Sequence, residues 1–262
     1  IASPSINMVA GGTIYVASTG SVSSAGGANS STSSAAFGGA GGALSLQAAG
    51  LSLAGNLSAA GGVSSYGASN SGVGANVTFQ NTNLNFVDND GQTAGIISGA
   101  AIIKNGAGIL QLKGSNAYTG ATNVNVGTIF MGSAGAIPTT SAVALSAGTV
   151  WDLNGINAIV ANISGAGTIR SSYAGVSNLL TFGSDNASTT FTGLIEDGLS
   201  TLSLYKTGSG SFQPTYANTY SGATTVAAGT WIATQANAFG SNAGGTSVLS
   251  GAVAQLKGPL NF

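Results

Sequence analysis

The sequence predicts an all-β chain wound as a β-solenoid, also called a parallel β-helix. Three observations carry this: an internal repeat that keeps its register, short alternating segments in place of helices, and a composition almost free of charge. The repeat is the strongest. "KNGAGILQLKGSNAYTGATNVNVGTIF" runs from Lys104 to Phe130, and "KTGSGSFQPTYANTYSGATTVAAGTWI" from Lys206 to Ile232. The two lie 102 residues apart, with 12 of 27 positions identical and no insertion between them. A register held that long fits coils of fixed length better than hairpins whose loops vary.

Period-2 segments rich in β-branched and aromatic residues mark strands. They occur at Thr13–Ser18, Ala43–Gln47, Leu51–Ser58, Asn76–Asn89, Ile109–Gly114, Thr149–Gly155 and Thr201–Lys206. Asn-Gly and Asp-Gly pairs at Asn105-Gly106, Asn154-Gly155, Asp90-Gly91 and Asp197-Gly198 mark tight turns. Strong helix formers are rare, and glycine punctuates the chain. Only 4 % of residues are charged, against about 25 % in an ordinary soluble domain. Stacked coils explain the deficit. Equivalent residues on neighbouring coils lie about 4.8 Å apart. Like charges at that spacing repel by roughly 0.9 kcal/mol even at the dielectric of water. Threonine, asparagine and serine avoid this cost and can bond along the stack.

Taken in order, the chain reads as one continuous domain in two portions. Residues 1–90 form a Gly/Ala/Ser-rich N-terminal portion, with 1–17 suited to being a donated strand. The tract Ser18–Gly74 reads as a flexible linker or as thin coils of small side chains. Residues 91–262 hold the two repeat copies, 102–131 and 204–233. At about 20–25 residues per coil, the repeat distance spans four or five coils and the chain about eleven. On this reading the two phrases are one structural segment, stacked several coils apart.

Charge and residue types exclude several functions. The net charge is −1 and the five cations are scattered, so no basic field attracts nucleic acid. No apolar run is long enough for a membrane-spanning helix, and insertion into a membrane by this chain is not expected. Histidine and cysteine are absent. That excludes His-based metal sites and triads and Cys nucleophiles. No cofactor is expected. Asp88 and Asp90, in Asp88-Asn89-Asp90-Gly91, are a weak Ca²⁺ candidate. A turn in which Asp and Asn bond their own backbone is the plainer reading. Gly106-x-Gly108 and Gly208-x-Gly210 are not followed by helices, so they read as coil corners rather than phosphate loops. Tyr118 and Tyr220 are matched. They read as corner packing with locally satisfied hydroxyls, or as an exposed stripe for stacking on sugars.

The two stretches Ile102–Met131 and Leu204–Ala233 resemble the autotransporter-associated β-strand repeat, also called the passenger-associated transport repeat. The family phrase is roughly Leu-x-Lys-x-Gly-x-Gly-x-Leu-x-Leu, then Asn-x-Tyr-x-Gly-x-Thr, then Val-x-x-Gly-Thr-Leu. The first copy carries Lys104, Gly106, Gly108, Leu110, Leu112, Asn116, Tyr118, Gly120, Thr122, Val124, Gly127 and Thr128. The second carries Gly208, Gly210, Asn218, Tyr220, Gly222 and Gly229, but has Pro214 where a strand leucine would stand. That strand is expected to be at an edge, bent or short. The resemblance implies a secreted, right-handed parallel β-helix, bacterial, extracellular or on the cell surface, whose repeat is a scaffold without catalytic residues. It says little about residues 1–90.

The leading functional expectation is a non-enzymatic structural protein that self-assembles through its solenoid ends into a fibre, filament or surface layer, with itself as partner. Ile1, Ile6, Met8, Val9, Ile14, Leu256, Leu260 and Phe262 are the candidate assembly residues, because uncapped apolar ends template pairing. The alternative is an autotransporter-type adhesin passenger that binds glycans or a host surface. That reading calls for long insertions between coils, and the sequence shows none. A polysaccharide-cleaving enzyme would need paired acids, and Asp88, Asp90, Asp152, Asp185, Glu196 and Asp197 are dispersed.

Overall fold

The computed structural model of the chain describes residues 5–9, 13–16, 21–24, 40–48, 50–53, 56–60, 75, 77–81, 97–241 and 243–258. Among them it contains 26 strands, β1–β26 in chain order, and no helix. All pairings are parallel. The spine is an eleven-stranded sheet with one rung per coil. Its strands are β1 (Ile6–Val9), β4 (Leu44–Ala48), β7 (Val77–Asn81), β9 (Ile102–Lys104), β11 (Thr122–Val124), β13 (Val143–Leu145), β16 (Ile163–Gly165), β19 (Thr189–Phe191), β22 (Ser211–Pro214), β24 (Thr230–Ala233) and β26 (Val253–Leu256). The second sheet is β10 (Ile109–Leu112), β12 (Thr128–Met131), β14 (Val150–Asp152), β17 (Thr168–Ser171) and β20 (Leu194–Gly198). The third is β15 (Ala158–Ile159), β18 (Ser177–Phe182), β21 (Thr201–Lys206), β23 (Thr224–Val226) and β25 (Thr246–Val248).

The chain visits the three sheets in turn: β13, β14, β15, then β16, β17, β18, then β19, β20, β21. This is a three-sided β-solenoid, as the repeat predicts. Two smaller sheets continue the second and third sides toward the N-terminus. They are β2 (Thr13–Val16) with β5 (Gly50–Leu53), and β3 (Ser21–Ser23) with β6 (Asn56–Ser58) and β8 (Ile97–Ser98).

Period-2 patterning sets which side chains fill the lumen. In β9, Ile102 and Lys104 point in and Ile103 out; β11, β13 and β24 repeat the alternation. Leu44, Val77, Ile102, Val143, Ile163, Phe212 and Trp231 all lie within the buried core. Each buried aliphatic or aromatic side chain of this kind contributes about 1.5–3 kcal/mol. Phe182, Phe212 and Trp231 pack in an edge-on series with centroids 4.7 and 4.8 Å apart.

Two expectations need correcting. First, coil length is not uniform. In the middle of the chain Ile102 pairs with Thr122, and Thr122 with Val143, so each coil there is short. Near the N-terminus Ile6 pairs with Leu44, and Leu44 with Val77. Each of those coils is more than half as long again. Both early coils therefore hold insertions, within the Ser/Ala/Gly-rich tract. The sequence hid them because the inserted residues share the composition of the coils.

Second, β22 is not an edge strand. It lies between β19 and β24, with Pro214 as its last residue. Pairing with β24 stops at Phe212, whereas the matching β10 pairs over its whole length with β12. Proline has no N–H to give the ladder, and a strand terminus tolerates that.

Candidate functional site: the repeat scaffold and the outward faces

The two repeat copies use the same side chains in the same way, but on different sides. In the first copy Lys104 ends β9 on the first sheet. In the second, Lys206 ends β21 on the third sheet. From β9 the chain climbs four rungs of the spine, through β11, β13 and β16 to β19, then crosses β20 to reach β21. The repeat distance is thus four coils and two further sides. The phrases are one structural unit turned onto a neighbouring face, not two units stacked on the same face.

Each lysine is buried, Lys104 fully and Lys206 to 2 % exposure. An unpaired buried charge is costly, and here backbone carbonyls at the coil corner receive it. Lys206 Nζ donates to the carbonyls of Thr207, Gly208 and Ala228 at 3.0, 3.2 and 3.1 Å, using all three donors. Lys104 Nζ donates to the carbonyls of Gly106 and Val126. Burial pulls the Lys104 ammonium down to about 8 and lowers Lys206 in the same direction. Gly127 makes room for this corner. It has a φ of 81°, and a Cβ there would stand 2.4 Å from the Gly106 oxygen and 2.8 Å from Lys104 Nζ. At Gly229, with a φ of 68°, a Cβ would stand 2.3 and 2.5 Å from the Gly210 and Gly208 oxygens. A Cβ on Gly120 or Gly222 would stand 2.3 Å from a carbonyl oxygen of the coil below, that of Ala100 or Leu202.

Each asparagine replaces a rung of backbone. Asn116 Oδ1 accepts from the Ile97 N–H at 2.9 Å, and its Nδ2 donates to the Ala136 carbonyl at 2.7 Å. One side-chain amide therefore bridges the coil below and the coil above. Asn218 Oδ1 accepts from the Ile195 N–H at 2.9 Å. Its Nδ2 is buried without an acceptor among the described residues.

Each tyrosine is interior. Tyr118 and Tyr220 are at most 1 % exposed. The Tyr118 hydroxyl lies 2.6 Å from Thr122 Oγ1, which lies 3.0 Å from Ser141 Oγ. The Tyr220 hydroxyl lies 2.7 Å from Thr224 Oγ1, which donates to the Phe239 carbonyl at 3.0 Å. Burial holds both phenols above their ordinary pKa. The sugar-stacking stripe is thereby overturned: both rings are buried, and each hydroxyl is bonded to the threonine four residues on.

Other expected site residues are placed as follows. Val9 is 64 % and Leu256 54 % exposed, while Ile6 and Met8 pack partly against the core. Ile14 lies in β2. Ile1, Leu260, Phe262, Asp88 and Asp90 lie outside the described residues. Among the described residues no group of three or more acidic side chains gathers as a metal cluster would. Asp152 accepts from the Asn154 and Ser172 N–H groups, each at 3.0 Å, and pairs with Arg170 at 3.2 Å. Asp197 Oδ1 accepts from the Leu202 and Ser221 N–H groups, each at 2.9 Å. These carboxylates brace turns.

The outward faces differ from one another. On the second sheet, register aligns Gln111, Phe130, Asp152 and Arg170 in one column, and Glu196 follows on the next rung. Charges on adjacent rungs there alternate in sign, as the repulsion argument requires. The outward columns of the first sheet, such as Ile103–Asn123–Ala144–Ser164, carry no charge. Nor do those of the third.

The passenger-associated-transport-repeat family matches residues 102–129 and 204–230. The chain carries two passenger-associated transport repeats. Over 162 residues, 60 % of its length, it is 37 % identical to the "Adhesin BmaC autotransporter" of Brucella suis biovar 1 (strain 1330). It spans 4 % of that protein. No solved structure matches it significantly. The repeats and this relative place the chain on the bacterial cell surface or outside the cell.

The buried lysines are the functional feature that sequence reasoning passed over, counting them among scattered cations. Their signal was present: each is matched in both copies and each precedes a Gly-x-Gly corner.

Proposed function

We propose that the chain is a non-enzymatic rod segment of an autotransporter-type adhesin passenger, displaying its outward faces and coil insertions to a host or other target surface. The observation that carries this reading is the 37 % identity, over 162 residues, to a protein named as an adhesin autotransporter. The long early coils, between Ile6 and Leu44 and between Leu44 and Val77, supply the insertions that such a reading calls for. The repeat residues serve the scaffold: buried Lys, Asn, Tyr and Thr groups lock adjacent coils and leave the outer side chains to vary. The test is retention of beads coated with the purified chain on cultured epithelial cells. Retention above that of beads coated with an unrelated β-solenoid is expected. Equal retention would overturn the reading.

Self-assembly into a fibre is the second reading. What supports it is the exposure of Val9 on β1 and of Val253 and Leu256 on β26, the first and last rungs of the spine as described. Sedimentation over a range of concentrations checks it. A single species of monomer mass at every concentration would contradict it.

A further inference from the structure

The third sheet presents a surface unlike the other two. Its outward positions fall into register as Thr181–Tyr205–Thr225–Ser247, one residue per coil. Beside this column Ser177 pairs with Thr201, and Leu179 with Ser203. Seven hydroxyls thus stand on four adjacent strands, with no charged side chain among them. Among the described residues none of these hydroxyls bonds another protein group. Interior hydroxyls behave otherwise: those of Thr122, Thr149, Ser171 and Thr224 all have protein partners. Two further apolar side chains project at the corner that leads into this sheet, Tyr173 at 58 % and Leu199 at 67 % exposure.

We propose that this face binds a neutral glycan. The inference rests on the adhesin reading and names the ligand class for one face of the rod. A hydroxyl both donates and accepts, so an array of them can pair with the hydroxyls of a sugar in either sense. The rungs repeat at about 4.8 Å, which offers an extended oligosaccharide a contact at each coil. The half-buried Tyr205, within the ladder, adds a ring whose apolar face can lie against a pyranose while its hydroxyl stays polar. Charge complementarity decides the class. An anionic or cationic ligand would bring a charge to a face with no counter-charge, whereas a neutral ligand loses nothing there. Binding is accordingly insensitive to salt.

The experiment measures retention of the whole chain on immobilised dextran, galactan and mannan, with heparin as the anionic counterpart. Wild type is expected to bind at least one neutral polysaccharide, and to bind it equally from about 50 to about 500 mM NaCl. The triple variant Thr181→Val, Tyr205→Ala, Thr225→Val should lose binding at least about tenfold, the equivalent of one or two lost contacts. Thr190→Val with Gln213→Leu, on the first sheet, should leave binding unchanged. Valine suits a strand, and an unchanged circular dichroism spectrum and melting temperature for Thr181→Val with Thr225→Val keeps the test valid should the tyrosine variant misfold.

Retention on heparin alone, lost with salt, overturns the proposal. So does neutral-glycan binding that survives the triple variant, or a dimer of the chain that the same variant dissolves. Cell-bound beads that no neutral polysaccharide displaces defeat the glycan proposal and leave the adhesin reading standing. Failure to bind cells or any polysaccharide defeats both.

Discussion

Replacing Asn116 by alanine removes a side chain that stands in for a stretch of β-ladder. Two interior groups lose their partners, the Ile97 N–H and the Ala136 carbonyl, held at 2.9 and 2.7 Å. Both residues are buried, at 5 % and 0 % exposure, so water does not readily replace the amide. An unpaired buried polar group costs about 1–3 kcal/mol, so the pair should cost about 2–4 kcal/mol. Asn218→Ala orphans one such group, the Ile195 N–H, because Asn218 Nδ2 has no acceptor to lose. It should cost roughly half as much. A solenoid opens coil by coil, so a global midpoint would blur the effect. Amide hydrogen exchange reads it directly: the Ile97 amide should exchange about 30- to 700-fold faster in Asn116→Ala. Unchanged exchange at Ile97 would refute the idea that a side chain completes this rung.

Three further predictions follow from the repeat. Lys206→Met should destabilise the chain by about 2–4 kcal/mol in denaturant melts, since three corner carbonyls lose their donor. A neutral or stabilising effect would mean that the ammonium is a tolerated charge rather than a corner cap. Gly127→Ala should be far more damaging than Gly148→Ala in thermal melts. Both glycines have positive φ, but a Cβ at Gly148 meets open space, so only the strain of about 1 kcal/mol remains there. In an alkaline titration followed by phenolate absorbance, Tyr118 and Tyr220 should stay protonated past the ordinary tyrosine value, because burial disfavours their charged form. Their folded-state pKa is raised, so their contribution to stability is complete below the ordinary tyrosine value and is lost as pH climbs beyond it. Lys104 has the opposite sign. From about pH 8 up to the ordinary lysine value the unfolded chain holds more protons, and its contribution to stability rises with pH.

The repeat, the period-2 segments and the charge deficit made the solenoid and its eleven rungs legible. What stayed hidden has physical causes. A repeat distance reports a whole number of structural units only if coil length is known. Coil length varies along this chain, so the spacing of the two phrases gave no sign that the second had turned onto another side. The burial of Lys104 and Lys206 went unread because lysine is rarely buried. Only the corner carbonyls, invisible in one dimension, reverse that. The two tyrosines admitted both an inward and an outward reading, since each lies between strands, where no period-2 pattern fixes the side, and the threonine partner four residues on decided. The hydroxyl ladder on the third sheet escaped notice for a related reason. Its members are a full coil apart in sequence, scattered among many other serines and threonines.

The turned repeat is the account's central claim, and disulfide trapping tests it most directly in a chain with no native cysteine. Tyr205 matches Ile103 of the first copy, which lies on the first sheet, yet the structure pairs Tyr205 with Thr181 on the third sheet and leaves Thr190 on the first, paired with Gln213. Parallel partners about 4.8 Å apart lie within reach of a disulfide. Thr181→Cys with Tyr205→Cys should cross-link rapidly on mild oxidation, and Thr190→Cys with Tyr205→Cys should stay reduced. Cross-linking of the second pair and not the first would place the second copy on the same side as the first, and would remove both the turned repeat and the hydroxyl face built on it.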